Sequence, residues 1–251
     1  KITTPESFKG TKEQAELLNA ISLWTGYSVE TVADPTNYDE SKADKKPDKY
    51  MFGDWEGESG WVASTTQEDY KKANEVLVSL ATEQLSKPVE IHRGGYVSKE
   101  LLESSLGQSL NIPVREISSW SNVGKSDGHI VPMEFIHDQS YIRKGDPGVI
   151  VVAQSSIGTT LGSISTYPNE DEHIVSGEVV TERIYNIRSN GNVVVEMPDG
   201  LSSREQTIFK YYQDQVNTHI DQEVDLYIAF ARVAPGEVKK AISANDLGQA
   251  W

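Results

Sequence analysis

The hydrophobic pattern of this chain changes its period near Pro88. Before that proline, apolar residues recur at the three- and four-residue intervals of amphipathic helices, whereas after it they form short runs rich in Val and Ile. The predicted strands are residues 89–92, 112–119, 149–154, 173–175, 179–187, 193–197 and 224–233. Helices followed by strands indicate an α+β fold.

Two helices are predicted in the first 87 residues. One begins at the capping residue Thr11 and ends at Gly26, and its apolar face is formed by Leu17, Leu18, Ile21 and Trp24. The other begins at a capping box of Thr65 with Glu68 and continues toward Pro88. Further helices are predicted over residues 98–106, 203–216 and 236–243.

The chain contains no internal repeat, and Asn190-Gly191 between two predicted strands is typical of a tight hairpin. We therefore expect one domain over residues 1–251, with a mainly helical part over 1–87 and a mainly sheet part over 88–251. Neither heptads nor a long apolar stripe is present, so we expect a monomer.

Charge and composition exclude several functions. The net charge of −15 opposes binding to nucleic acid or to an anionic membrane, because both require clustered Lys and Arg. No apolar run approaches the length of a membrane span. The absence of cysteine excludes disulfides and thiolate metal sites, and we predict no metal. The chain begins with Lys1, and we expect a secreted protein whose signal peptide has been removed. The alternative is a cytosolic protein with a trimmed N-terminus.

Arg93 stands at the end of a predicted strand and is followed by Gly94 and Gly95. A guanidinium group presents a rigid fork that suits phosphate, and glycines allow a ligand to approach the backbone closely. The alternative is a surface arginine before a glycine turn.

A serine cluster follows, formed by Ser118, Ser119 and Ser121 around Trp120. Hydroxyl groups at the end of a strand can hold a neighbouring carboxylate in position. The alternative is a polar strand terminus with a tryptophan in the core.

Glu170 and Glu172 flank Asp171 immediately before the apolar run 173–175. If the strand includes Glu170, a spacing of two residues places both glutamates on one face. Glu172 could then stabilise a cationic transition state while Glu170 positions or deprotonates a nucleophile. The alternative is a solvated acidic turn in a chain with 38 acidic residues.

Taken together, the three stretches resemble the signature of the mono-ADP-ribosyltransferase toxins of the Arg–Ser–Glu class, which is R, then S-T-S, then E-x-E. Here the signature consists of Arg93, Ser119-Trp120-Ser121 and Glu170-Asp171-Glu172, with Trp120 in place of the family's threonine. The resemblance covers roughly residues 10–190. It implies N-terminal helices packed on two β-sheets that form a cleft for NAD+.

The resemblance also implies roles for individual residues. Contacts with NAD+ are implied for Arg93, Gly94, Ser119, Ser121, Phe135 and Glu172. Arg93 would bind the phosphates and the Gly94 backbone would read the nicotinamide amide. Ser119 would orient Glu172, which would bind the ribose 2′-hydroxyl and favour the oxocarbenium ion. Phe135 could stack on the nicotinamide or belong to the core.

For the acceptor, the resemblance implies that Glu170 engages an arginine side chain and that Tyr167 contacts the protein target. We therefore expect a secreted toxin that modifies a host protein inside the host cell. An NAD+ glycohydrolase would use the same Arg93, Ser119 and Glu172 with water as the acceptor. A catalytically silent binding module remains open, and so does a sugar hydrolase, although carboxylates two apart on one strand do not naturally flank a glycosidic bond.

Overall fold

The computed structural model describes residues 16–18, 20–21, 24, 35–37, 66–100, 102, 110–112, 118–122, 132–133, 136, 146–161, 171–194, 196–219 and 224–234. Helical residues occur at 16–18, 20–21 and 24, which we call the N-terminal helical segment. A short 3-10 helix spans Pro35–Asn37, and two longer helices are α1 (Gln67–Ala81) and α2 (Ser203–His219). The strands are β1 (Gln84–Tyr96), β2 (Leu110–Ile112), β3 (Ser118–Ser121), β4 (Gly148–Ile157), β5 (Thr159–Thr160), β6 (Glu172–Val175), β7 (Glu178–Ser189), β8 (Asn192–Val193) and β9 (Leu226–Ala234).

Helix α1 begins one residue later than the sequence suggested. Its N-cap is Thr66, whose hydroxyl accepts from the Asp69 backbone N–H at 3.3 Å, while the Asp69 carboxylate accepts from the Thr66 N–H at 2.7 Å. This reciprocal pair satisfies two helix-terminal donors, so it replaces the predicted box of Thr65 with Glu68. The helix ends at Ala81, because the chain turns at Thr82 and enters β1.

The nine described strands form one sheet, and the α+β class is confirmed. Their order is β2-β7-β9-β4-β1-β3-β6-β5, with β8 paired to β7. Strands β4 and β9 are parallel, and every other described pair is antiparallel. The two expected sheets are joined into a continuous one. Among the described residues a single register pair, His92 with Ser121, links β1 to β3.

Two predicted strands differ from the structure. The run 112–119 is not one strand, because β2 pairs with β7 whereas β3 pairs with β1 and β6. Pro113 directly follows β2, and a proline cannot donate to a ladder. The run 193–197 contributes only Val193, the last residue of β8, and the Val194 carbonyl that follows accepts from the side chain of Gln213 on α2.

Strands β4, β6, β7 and β9 and helix α2 lie where the periodicity placed them. Strand β5 was not predicted, and β1 starts at Gln84, within the stretch assigned to the second helix. The predicted hairpin is also present, because Asn190 and Gly191 have φ values of 50° and 76° and join β7 to β8. Two positive φ angles are typical of a type I′ turn, which glycine and asparagine tolerate best. The predicted helix at 236–243 lies outside the described residues.

Three apolar clusters hold the described elements together. One lies within the sheet around Ile91, Trp120 and Val151, and a second packs α2 on the sheet through Phe209 and Tyr212. The third packs the N-terminal helical segment and α1 on β6, and it contains Ala20, Ile21, Trp24, Ala73, Leu77, Ala81, Leu161 and Ile174. The third cluster therefore brings Trp24 close to the start of β6. In the part of the chain that the structure describes, no helix is both long and apolar enough to span a membrane.

Candidate active site

Glu172 is the first residue of β6, and only 6% of its surface is exposed. Its Oε1 atom accepts a hydrogen bond from the Ser119 hydroxyl at 2.7 Å and another from the indole Nε1 of Trp24 at 2.8 Å. Strand register explains the first bond. Ser121 lies opposite Glu172, so Ser119 is its diagonal neighbour on the antiparallel strand, within reach of a long side chain.

Arg93 lies on β1 and is half-buried. Its Nη1 donates to the Ser119 carbonyl oxygen at 2.6 Å, so the guanidinium reaches across from β1 to β3. Arg93, Ser119 and Glu172 are thus joined in one hydrogen-bonded chain. The structure brings these three sequence motifs together, and the roles of the residues stay predictions.

Ser121 stands at the centre of this arrangement, because it pairs in register with both His92 of β1 and Glu172 of β6. It is buried, as is Ser118, which binds the indole N–H of Trp120 at 2.8 Å. Trp120 is therefore a core residue, and its side chain makes a bond separate from the one that holds Glu172.

Gly94 has a structural requirement of its own. A Cβ added there would lie 1.7 Å from the Pro132 carbonyl oxygen, far inside van der Waals contact. The close approach of Pro132 explains the glycine without a ligand. Reading of the nicotinamide by the Gly94 backbone stays a prediction.

The spacing argument for the two glutamates does not hold. Strand β6 begins at Glu172, and Asp171 adopts a left-handed conformation with a φ of 45°. Because alternation of faces requires extended backbone, it does not extend back to Glu170. Glu170 itself lies outside the described residues, and so do Tyr167 and Phe135.

Trp24 donates to the Glu172 carboxylate, and sequence reasoning did not identify it as a site residue. The periodicity assigned it to the apolar face of a helix, and it is 2% exposed in that setting. Its partner is 148 residues away in sequence, so no local pattern reports their contact.

A polar network that runs from the surface into the core includes His92, the neighbour of Arg93 on β1. Two hydrogen bonds connect the Arg204 guanidinium to Glu90, at 3.0 and 2.6 Å. His92 is 2% exposed and contacts Glu90 through Nε2 at 3.0 Å and the Tyr212 hydroxyl through Nδ1 at 2.6 Å. A carboxylate only accepts, so Nε2 carries the proton and Nδ1 accepts from Tyr212.

Burial and pairing shift the titration of this network. Burial alone would raise the pKa of Glu90, but hydrogen bonds from His92 and Arg204 outweigh it and lower the pKa to about 2. Burial lowers the pKa of His92 below 6.5, against the opposing effect of Glu90. Burial also lowers the pKa of His173, which bonds to Thr160 at 2.8 Å and to the Ile157 carbonyl at 3.2 Å.

These shifts predict that the protein is destabilised as the pH falls from 7.5 to 5.5. In that pH range His92 and His173 bind protons in the unfolded chain but resist protonation in the folded chain. Acidification therefore stabilises the unfolded state relative to the folded state. The free energy of unfolding, measured by urea denaturation, should fall by on the order of 1 kcal/mol per histidine. Glu90 titrates below this window, since its stabilisation is lost only between pH 4.5 and about 2.

The matched variants are His92→Gln and His173→Gln. Each should reduce the pH-dependent fall in stability by about half, and the double variant should remove most of it, whatever the variants cost at pH 7.5. A parent protein whose stability stays flat or rises on acidification would contradict the prediction.

No protein-family model and no curated protein matches this chain. Its backbone is similar to several solved structures. The Vis toxin, an ADP-ribosyltransferase from Vibrio splendidus, is 12% identical with a TM-score of 0.43, covering 94% of this chain and 92% of that one. The ADP-ribosyltransferase HopU1 of Pseudomonas syringae is 11% identical with a TM-score of 0.37, covering 86% and 75%. The C3larvin toxin of Paenibacillus larvae, also an ADP-ribosyltransferase, is 14% identical with a TM-score of 0.34, covering 72% and 76%.

Proposed function

We propose that this protein is a mono-ADP-ribosyltransferase that cleaves NAD+ and transfers ADP-ribose to an arginine side chain of a host protein. The observation that carries the proposal is the hydrogen-bonded chain from Arg93 through Ser119 to Glu172, which ends in a nearly buried carboxylate held by two donors. The sequence resemblance supports the same assignment independently of these distances.

The residues present fit NAD+ as a substrate. NAD+ carries a diphosphate, and a guanidinium fork with five N–H donors is suited to bind it. Arg93 supplies such a fork from β1 in a chain whose overall charge would otherwise repel phosphate. The Glu172 carboxylate is held on the neighbouring part of the sheet by two donors, and we assign it to the developing positive charge.

Glu172 is assigned the central role in cleavage. As the bond between ribose and nicotinamide breaks, nicotinamide leaves with the bonding electrons and positive charge develops on the ribose. A carboxylate that is already oriented stabilises that charge without reorganising. Ser119 keeps the carboxylate in place and Arg93 holds the phosphates. The nitrogen of the acceptor arginine then forms a bond to the ribose carbon and loses a proton, for which we propose Glu170 as the base.

The remaining assignments rest on the sequence resemblance. We propose that Gly94, Ser121 and Phe135 contact NAD+, that Glu170 receives the acceptor and that Tyr167 contacts the protein target. We further propose that residues 1–251 form one catalytic domain, secreted as a monomer and acting inside a host cell, and that catalysis requires no metal.

An NAD+ glycohydrolase is the second candidate function. The described chain of Arg93, Ser119 and Glu172 would serve it equally well, because water would replace the arginine and the same bond would break. The two functions differ in the importance of Glu170.

Replacing Glu170 with glutamine separates them. We expect transfer of ADP-ribose to a small guanidine compound such as agmatine to fall by about a hundredfold, because the acceptor loses its carboxylate partner. Hydrolysis of NAD+ by the same variant should change by less than about threefold, since Glu172 is intact. Both rates are measured on one preparation, as nicotinamide release and as modified acceptor.

Glu172→Gln serves as the control, because it should lower both rates together. Equal losses of hydrolysis and transfer in Glu170→Gln would contradict the transferase assignment. So would a parent protein that hydrolyses NAD+ but modifies neither agmatine nor any protein.

A further inference from the structure

We infer that Trp24 is a positioning residue of the NAD+-cleaving site, whose indole N–H fixes the Glu172 carboxylate in its productive orientation. The inference rests on the proposed function. It adds to the three motifs a fourth residue, which belongs to the N-terminal helical segment.

Two donors converge on a single oxygen of Glu172. Trp24 Nε1 lies 2.8 Å from Oε1, and the Ser119 hydroxyl lies 2.7 Å from the same atom. They come from different elements, the N-terminal helical segment and β3. A carboxylate held by one donor can still swing about that bond, whereas donors from two elements restrict its torsions. Bonds to a charged acceptor are also the strong ones.

The indole is itself held in place by packing. Trp24 belongs to the cluster in which Ala73 and Leu77 of α1 meet Ile174 of β6, and it is almost completely buried. Burial of an indole N–H without a partner is costly, so a buried tryptophan normally finds an acceptor. Here the acceptor is the carboxylate proposed to face the developing cation. A phenylalanine would fill much of the same space without making the bond.

The chain of contacts therefore extends from Arg93 through Ser119 and Glu172 to Trp24. Trp24 lies on the N-terminal helical segment, whereas Arg93, Ser119 and Glu172 lie on the sheet. The N-terminal helical segment thus contacts the site through the hydrogen bond from Trp24 to Glu172.

Trp24→Phe tests the inference, with Tyr212→Phe as a matched control. Both side chains are almost completely buried and both donate a hydrogen bond, but Tyr212 donates to His92 Nδ1 at 2.6 Å. We expect Trp24→Phe to lower kcat for nicotinamide release by about tenfold or more. The KM for NAD+ should change by less than about twofold, the pattern of an interaction that matters in the transition state. Tyr212→Phe should stay within about threefold of the parent.

A second readout does not depend on activity. The chain has five tryptophans, so a nitrogen-15 correlation spectrum should contain five indole N–H signals. Absence of one signal in Trp24→Phe assigns it. In Glu172→Ala, that signal should move upfield further than the other four, because the proton loses its charged acceptor.

Equal losses of kcat in the two phenylalanine variants would overturn the positioning role, because both would then act through stability. An unmoved Trp24 signal in Glu172→Ala would overturn the contact. If the parent protein cleaves NAD+ and only these results fail, the proposed function stands. If the parent releases no nicotinamide, the proposed function fails and the role of Trp24 in cleavage fails with it, whatever the spectrum shows.

Discussion

Replacing Glu172 with glutamine is expected to lower the rate of nicotinamide release from NAD+ by about a hundredfold or more. Glutamine has nearly the same size, and its amide oxygen can accept from Ser119 and Trp24 at the position of Oε1. The substitution therefore removes the negative charge while it preserves the packing. The loss of rate then measures the electrostatic stabilisation of the cationic transition state.

The measurement compares initial rates at saturating NAD+ for folded parent and variant, with folding checked by urea denaturation. Glu182→Gln is a suitable control, because Glu182 is a half-exposed glutamate of β7 whose nearest cation is Arg232 at 3.4 Å. This control should keep the parent rate. Nicotinamide release by Glu172→Gln at the rate of Glu182→Gln would show that the carboxylate is not part of the site.

Gly94→Ala is expected to destabilise the folded protein by about 3 kcal/mol or more. The new methyl group would lie 1.7 Å from the Pro132 carbonyl oxygen and 2.7 Å from its carbonyl carbon. Both are backbone atoms, so no rotation of a side chain relieves the overlap, and either β1 or the segment at Pro132 must shift. The free energy of unfolding in urea reports the cost.

Gly200→Ala provides the comparison. Its φ of 81° is unfavourable for alanine, but no atom lies within 4 Å of the added Cβ. It should therefore cost only the strain of a left-handed residue, about 1 kcal/mol. If Gly94→Ala proved no more costly than Gly200→Ala, the close approach of Pro132 would be wrong.

The sequence predicted those parts of the fold that leave a local trace. Strands β4, β6 and β9 carry runs of Val, Ile and other apolar residues, and α2 keeps its helical period. The errors arose where one residue overrides the pattern, as Pro113 does between β2 and β3. The order of the strands could not be derived, since it depends on which runs meet in space.

The candidate site was predicted unevenly for the same reason. The resemblance to a known signature grouped Arg93, Ser119 and Glu172. Their spacing in the sequence does not indicate that they are in contact. Trp24 is not one of the residues of that signature. Its periodicity explains its burial, but periodicity carries no information about the acceptor of its N–H.

The link between β1 and β3 has a consequence for how the site can be dissected. Arg93 lies on one side of this seam, and Ser119 and Glu172 lie on the other. Among the described residues, one register pair joins β1 to β3, and the Arg93 side chain bonds across it to the Ser119 carbonyl. Arg93 thus connects the two parts of the sheet, in addition to its proposed role as a ligand for phosphate. A loss of activity on replacing Arg93 would combine the two effects, whereas Glu172→Gln removes a charge and keeps an acceptor for Ser119 and Trp24.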